Sequence, residues 1–324
     1  MLRCNAVHRC GSGGGDTSSG VRSPSPFTSA ETLVPWLPSP RLLFLLLAVT
    51  IAGEVHRPAA GTRPARAGDA FALADTITVD GSNGVMPLAA ALAEAYQRLH
   101  PGRVIALGGG LGSGARLAAL RERRIDIALA SHGLDTTALR AEGFAPLRVA
   151  TTAVVFGVND ASPARAITSA QACALLTGSA PTWSVVTGSH ESVAMTVHAR
   201  SESEVDMEVL RRGIACLTNI PVAPHVQVAP DTDAMRRALL ASPGAIGVTT
   251  ATVVQQERGR LRALALDGVA PTADAVRAGR YALARDSYFI ASATPSAVVA
   301  HFIAWVRSPA AQPVLAANGA VAPR

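Results

Sequence analysis

The 324-residue chain contains no lysine, so all 29 of its Lys+Arg side chains are arginine. This excludes a phosphate-loop lysine, a Schiff-base lysine and a Ser-x-x-Lys nucleophile pair. Aromatic residues are scarce at 4%, which leaves few platforms on which bases could stack. The net charge of +6 adds little to a nucleic-acid reading, because it is unevenly placed. Residues 1–68 hold seven arginines against Asp16, Glu31 and Glu54, and the remainder holds 22 arginines against 20 acids. Beyond Arg121–Arg124 there is no arginine-rich stripe, so no nucleic-acid partner is expected. The eight histidines include no His-Glu-x-x-His, no Gly-x-Ser-x-Gly elbow occurs, and no Cys/His spacing suggests zinc. The expectation is a protein with no catalytic residues, no metal and no cofactor.

Hydrophobic runs of membrane-spanning length are lacking as well. The run Leu42–Ala52 follows Arg41 and is short for a bilayer, but it fits the apolar segment of a secretory signal. Residues 1–40 are rich in Gly, Ser and Pro with no hydrophobic period. Residues 1–74 are therefore expected to be a disordered start plus a signal or anchor over 41–53. Export to the periplasm or the exterior follows, with tethering to the inner membrane by an uncleaved 42–52 segment as the alternative. Of four cysteines, Cys4 and Cys10 precede the run. Cys173 and Cys216 remain, either as a disulfide or as two buried thiols.

The remaining sequence alternates strand and helix. Ile77–Val79 is β-branched and ends in Asp80-Gly81-Ser82-Asn83-Gly84. Pro87 then opens a helical pattern with Leu88, Leu92, Ala95 and Leu99 on one face. Val104–Leu107 is a second strand, followed by a glycine-dense loop over Gly108–Gly114 and a helix over Arg116–Arg124. Ile125–Ala130 is a third strand, ending at Ser131-His132-Gly133. This order predicts an α/β fold with a doubly wound, mostly parallel sheet, and a site at the carboxyl ends of its strands. Leu147–Val158 reads as a passage between lobes. Beyond it come a capped helix over Thr168–Leu176, a strand near Trp183–Val186, a helix after Ser203, and the strand Val226–Val228. The helix Thr232–Leu240, the strand Ala245–Val248 and the closing helix Pro295–Val306 complete the pattern.

Three strand-end loops carry the chemistry: Ser82-Asn83-Gly84, Ser113-Gly114 and Ser131-His132. Helix N-termini offer unpaired N–H groups and about half a positive charge each, so several aimed at one crevice suit a small oxyanion. Any one such loop is an ordinary cap or turn; three in register point to a site. The stretch Gly110-Leu111-Gly112-Ser113-Gly114-Ala115 satisfies a dinucleotide-binding fingerprint. However, the acid expected at the end of the next strand is absent, and Ser131 and His132 stand there instead. Ser203-Glu204-Val205-Asp206 has the spacing of a helix cap with a first-turn acid.

The runs ITVDGSNGVMPLAAALAEAYQ (77–97), GLGSGARLAAL, DIALASHGL, SPGAIGV and HFIAWVRSPAAQPVLAANGAVAP resemble the periplasmic phosphate-binding proteins of ABC transporters, over most of residues 75–324. The resemblance implies a two-lobed periplasmic binding protein of type II, each lobe a doubly wound sheet, joined by crossover strands. It places residues 75–156 and 258–324 in lobe I and 157–257 in lobe II. It implies a monomer that captures a phosphate-like oxyanion for ABC transporter membrane subunits, without catalysis. On this resemblance Asn83, Gly84, Ser113, Gly114 and Ser131 contact the ligand from one lobe and Arg200 from the other, and Ser82, His132 and Ser203 beside them are further candidate contacts. At His132 relatives carry an acid or a base, and Ser201-Glu202-Ser203-Glu204 stands where Arg200 should be followed by Ser-Gly-Thr. These departures motivate a second expectation: the same fold as a sensor or interaction module that has lost inorganic-anion binding.

Overall fold

The computed structural model describes residues 76–131, 133–178, 182–188 and 194–323. The leader, the 42–52 run, the anchor alternative and His132 therefore lie outside the described residues. The elements are, in chain order, β1 (Thr76–Gly81), α1 (Met86–Leu99), β2 (Val104–Leu107), α2 (Ser113–Arg121), β3 (Ile127–Ser131), α3 (Thr136–Ala141) and β4 (Phe144–Asn159). Next come β5 (Ala166–Ile167), α4 (Ser169–Thr177), α5 (Trp183–Thr187), β6 (Thr196–Arg200), α6 (Val205–Gly213), β7 (Gln227–Ala229), α7 (Thr232–Ala241), β8 (Ala245–Thr250) and α8 (Ala251–Gln256). The chain finishes with β9 (Leu261–Ala263), β10 (Ala265–Leu266), α9 (Ala273–Arg277), β11 (Ala284–Ser292), α10 (Ala297–Arg307), α11 (Gln312–Ala317) and β12 (Ala320–Val321).

The main sheet runs β2-β1-β3-β11-β4-β8-β6-β7, with β9 and β12 also on β4. The triplets β2-β1-β3 and β8-β6-β7 are parallel, as the βα alternation requires. Between them the antiparallel pair β11 and β4 joins the halves. The 16-residue β4 pairs with β11 along its first part and with β8 and β9 along its second. The mixed α/β architecture with paired crossover strands thus matches the expected fold class.

Two large apolar cores lie on either side of that junction. In the first, Leu88, Leu92 and Tyr96 of α1 pack with Ile127, Phe289 and Phe302. Leu99, expected on that face, is 60% exposed, and Tyr96 takes the inward position at the helix end. In the second, Val154–Phe156 of β4 pack with Trp183, Met207, Leu210, Met235 and Val248. Leu261, Leu264, Tyr281 and Leu283 also belong to the second core, although 258–324 was expected with lobe I. The reason is that β9 lies on the far part of β4, so the chain returns to the first half only at β11. Each fully buried Leu or Phe of these cores contributes about 1.5–3 kcal/mol.

Local signals explain most boundaries. Thr168 and Gln171 form a reciprocal capping box at the start of α4, and Gly178 closes it in the left-handed region. The segment 183–187, expected as a strand, is a short helix: Gly188 at φ 70° ends it, and Trp183 is buried beneath it. Cys173 of α4 and Cys216 form a disulfide with a Cα–Cα separation of 6.3 Å. No described helix is long and apolar enough to cross a membrane.

Candidate functional site

The first loop is set by a close approach of two strands. At the end of β1, Gly81 adopts φ 141°, and a Cβ there would lie 2.3 Å from the carbonyl oxygen of Leu129. Only glycine lets the strands meet so closely. Ser82 then donates its N–H to Leu129 O at 3.0 Å, and its own carbonyl accepts from Val85 and Met86, which starts α1. Neither Ser82 nor Asn83 caps that helix through its side chain, nor does any side chain cap α2 behind Gly112. The ordinary capping explanation for these polar residues therefore fails at both helices.

The second loop folds against the first. A Cβ on Gly110, at φ 95°, would lie 1.8 Å from Asn83 Oδ1. Asp80 Oδ1 accepts from the amides of Gly81 (2.6 Å), Gly110 (2.9 Å) and Leu111 (3.1 Å). The chain's own carboxylate thus ties the second loop to the end of β1. Ser113 and Gly114 stand exposed on the first turn of α2.

The third loop is reached through a residue that sequence reasoning missed. Arg285 of β11 is 2% exposed. It donates to Ser131 Oγ (2.6 Å) and to the carbonyl of Gly84 (2.7 Å), and its Nε lies 2.6 Å from Asp206 Oδ1 on α6. One guanidinium therefore gathers two of the expected loops and ties them to the other half. Its sequence context, Ala284-Arg285-Asp286, carries no motif. The only available signal was an arginine in a strand otherwise rich in apolar residues.

Across the junction, Arg200 ends β6 and is 1% exposed. Its Nε, Nη1 and Nη2 have no hydrogen-bond acceptor among the described residues; Glu204 Oε1 stands 3.4 Å from Nη2, an ion-pair distance. Arg200 is therefore not a surface ion pair. The Nε of Arg116, on α2, is likewise buried without an acceptor. Burial pushes the Arg116 guanidinium below its ordinary range, while the charge of Glu204 pulls it back up, so α2 and the start of α6 feel each other. Ser203 is exposed, its Oγ 3.1 Å from Ser201 Oγ, and Glu204 rather than Ser203 precedes α6. Neither contributes a side-chain cap.

The halves also touch at the rim, where Thr232 Oγ1 donates to the carbonyl of Asn83 at 3.0 Å. Beside that contact opens a cavity of about 550 Å³, lined among others by Asn83, Gly109, Asp231, Asp233 and Arg236. Asp231 caps α7, and Asp233 is held by Arg236 and Arg237, so these charges are internally matched. Arg285 thus gathers Gly84 and Ser131 into one cluster with Asp206 of α6, and Asn83, beside Gly84, meets Thr232 of the other half, while Arg200 ends β6 at ion-pair distance from Glu204. Ser113, Gly114 and Ser203 are not tied into it by any described contact. Chemically the arrangement offers buried guanidinium donors, and among the described residues no nucleophile is paired with a base beside them.

Comparison with known proteins bears on the same region. The family model for a PBP superfamily domain matches residues 58–310. A putative phosphate ABC transporter substrate-binding protein of Clostridium perfringens, solved with bound phosphate, superposes at a TM-score of 0.64 with 18% identity, over 77% of this chain and 100% of that one. A phosphate-binding protein from Stenotrophomonas maltophilia gives 0.58 at 16% identity, over 77% of this chain and 91% of that one. An ABC-type phosphate transport receptor from Vibrio cholerae gives 0.55 at 23%, over 76% and 100%. At these identities the likeness establishes the fold. No curated protein sequence matches the chain.

Proposed function

This chain belongs to the PBP superfamily, and from that premise we propose that it is an exported solute-binding protein, not an enzyme, that captures a small oxyanion between two lobes. Delivery to the membrane subunits of an ABC transporter, by a monomer, completes the reading. The observation that carries it is Arg200, a buried guanidinium whose three nitrogens find no hydrogen-bond acceptor among the described residues, with Glu204 alone at ion-pair distance. Buried donors left unsatisfied on a charged group are costly even beside a carboxylate, and an oxyanion ligand would accept from them. The solved structures named above, a phosphate-bound substrate-binding protein, a phosphate-binding protein and a phosphate transport receptor, support the ligand class.

Calorimetry of the purified protein against phosphate, sulfate and molybdate should give binding to at least one of them. Arg200→Met should weaken that binding by about 100-fold, since truncating one side of a buried charge-assisted contact typically costs 2–5 kcal/mol. Unchanged affinity in that variant would overturn the reading. A second reading keeps the fold as a sensor or interaction module. It is favoured by the two carboxylates, Glu204 and Asp206, already standing against Arg200 and Arg285. Silence toward every oxyanion would select it.

A further inference from the structure

Arg285 bonds to two of the three expected loops, and the chemistry of its group fixes what one of them can offer. A guanidinium has five N–H donors and no acceptor, and it keeps its proton. At the 2.6 Å contact with Arg285 Nη1, Ser131 Oγ is therefore the acceptor. A serine hydroxyl carries one hydrogen, and here that hydrogen has to point away from the guanidinium. No described residue accepts it. Ser131 is 2% exposed, so open solvent does not take it either. The same guanidinium donates from Nη2 to the Gly84 carbonyl at 2.7 Å, and its Nε stands 2.6 Å from Asp206 Oδ1. Three partners thus hold the plane of the group, and through it the rotation of the Ser131 hydroxyl.

Resting on the oxyanion reading above, we propose that Arg285 is a positioning residue for capture: by occupying the acceptor side of Ser131 Oγ, it commits the hydroxyl to donate to the guest. Arg285 acts through Ser131 and does not itself have to touch the anion. A free serine hydroxyl turns between donating and accepting, and a lone pair facing an oxyanion repels it. Clamping the oxygen removes the wrong orientation before the guest arrives, so the ordering is complete in advance of binding. The guanidinium also polarises the O–H, which strengthens the bond it makes onward. Lysine cannot serve in the same way. Its ammonium is a point charge on a flexible stem and lacks the planar fork that reaches Ser131, Gly84 and Asp206 together.

The test is a double-mutant cycle on the full chain, with affinity for phosphate, sulfate and molybdate read by calorimetry. Ser131→Ala should weaken the tightest of these anions about tenfold or more, the effect of losing one hydrogen bond to a charged group. Arg285→Lys keeps a positive charge beside Asp206 and should weaken it by a similar factor. In the Ser131→Ala background, Arg285→Lys should change affinity by no more than about twofold, because the hydroxyl it acts through is gone. An arginine that only supports the fold would weaken binding equally in both backgrounds. That result would overturn the positioning role while leaving oxyanion capture intact. Thermal unfolding shows whether each variant keeps a cooperative transition. Where Arg285→Lys does not, Ser131→Ala alone decides, and an affinity within about twofold of wild type overturns the proposal. If the wild-type protein binds none of the three anions, the oxyanion reading falls and the positioning role falls with it.

Discussion

The two halves of the molecule build their sides of the crevice from opposite materials. The first half uses mostly backbone: Gly81, Gly84 and Gly110 allow close approaches, and the Asp80 carboxylate there is taken up by backbone amides. The second half uses charge: Arg200, Glu204 and Asp206 come from one strand end and the helix behind it. Arg285, on the crossover strand, joins the two by bonding a carbonyl and a hydroxyl on one side and a carboxylate on the other. Neutral backbone can place an oxyanion but contributes little net charge, whereas buried guanidiniums attract it and must be held in position by something else. Geometry and attraction are thus divided between the halves.

That division predicts different weaknesses. The second half should break when a charge is removed. Asp206→Ala leaves Arg285 buried and unpaired, so unfolding stability should drop by about 3–5 kcal/mol, read as a lower urea midpoint with an unchanged slope. The first half should break when a methyl is added. Gly81→Ala places a Cβ against the Leu129 carbonyl at a φ that side chains rarely adopt, for a loss of about 2–4 kcal/mol in the same measurement. If Asp206→Ala were mild and Gly81→Ala severe, the assignment of charge to one half as a structural necessity would fail.

A smaller effect sharpens the contrast through pH. Burial on β6 pushes the His198 imidazole below its ordinary value of 6.5. The unfolded chain therefore binds the proton first. The stability that neutral His198 provides is complete above about 6.5 and is lost as pH falls below it, down to the folded value. Thermal unfolding between mildly acidic and neutral pH should show a slope of about 1 kcal/mol per unit at most, and His198→Leu should flatten it. An unaltered slope in that variant would place the acid sensitivity elsewhere.

The same contrast explains what could be read in advance. The βα alternation, the glycine loops and the capping box at Thr168 are written in local spacing, so the first half and the parallel strands were legible. Short elements were not: Trp183–Thr187 carries β-branched residues, and only Gly188 and the burial of Trp183 decide for a helix. Ser113, Gly114 and Ser203 fit a motif by spacing yet stand exposed, because a spacing rule knows nothing of which face the crevice presents. Arg285 was invisible for the opposite reason. Its role depends on partners 154 and 201 residues away, Ser131 and Gly84, that meet only when β11 crosses between the halves.

The continuous β4 has a mechanical consequence. Because its 16 residues run unbroken from the antiparallel ladder with β11 into the antiparallel ladder with β8, neither half can swing on a slack tether. Any rotation of one against the other has to be taken up as torsion spread along that ribbon and its neighbour β11, whose register slips between Ser287 and Tyr288. The irregularity sits two residues from Arg285, so wringing the ribbon acts directly on the guanidinium that clasps both sides.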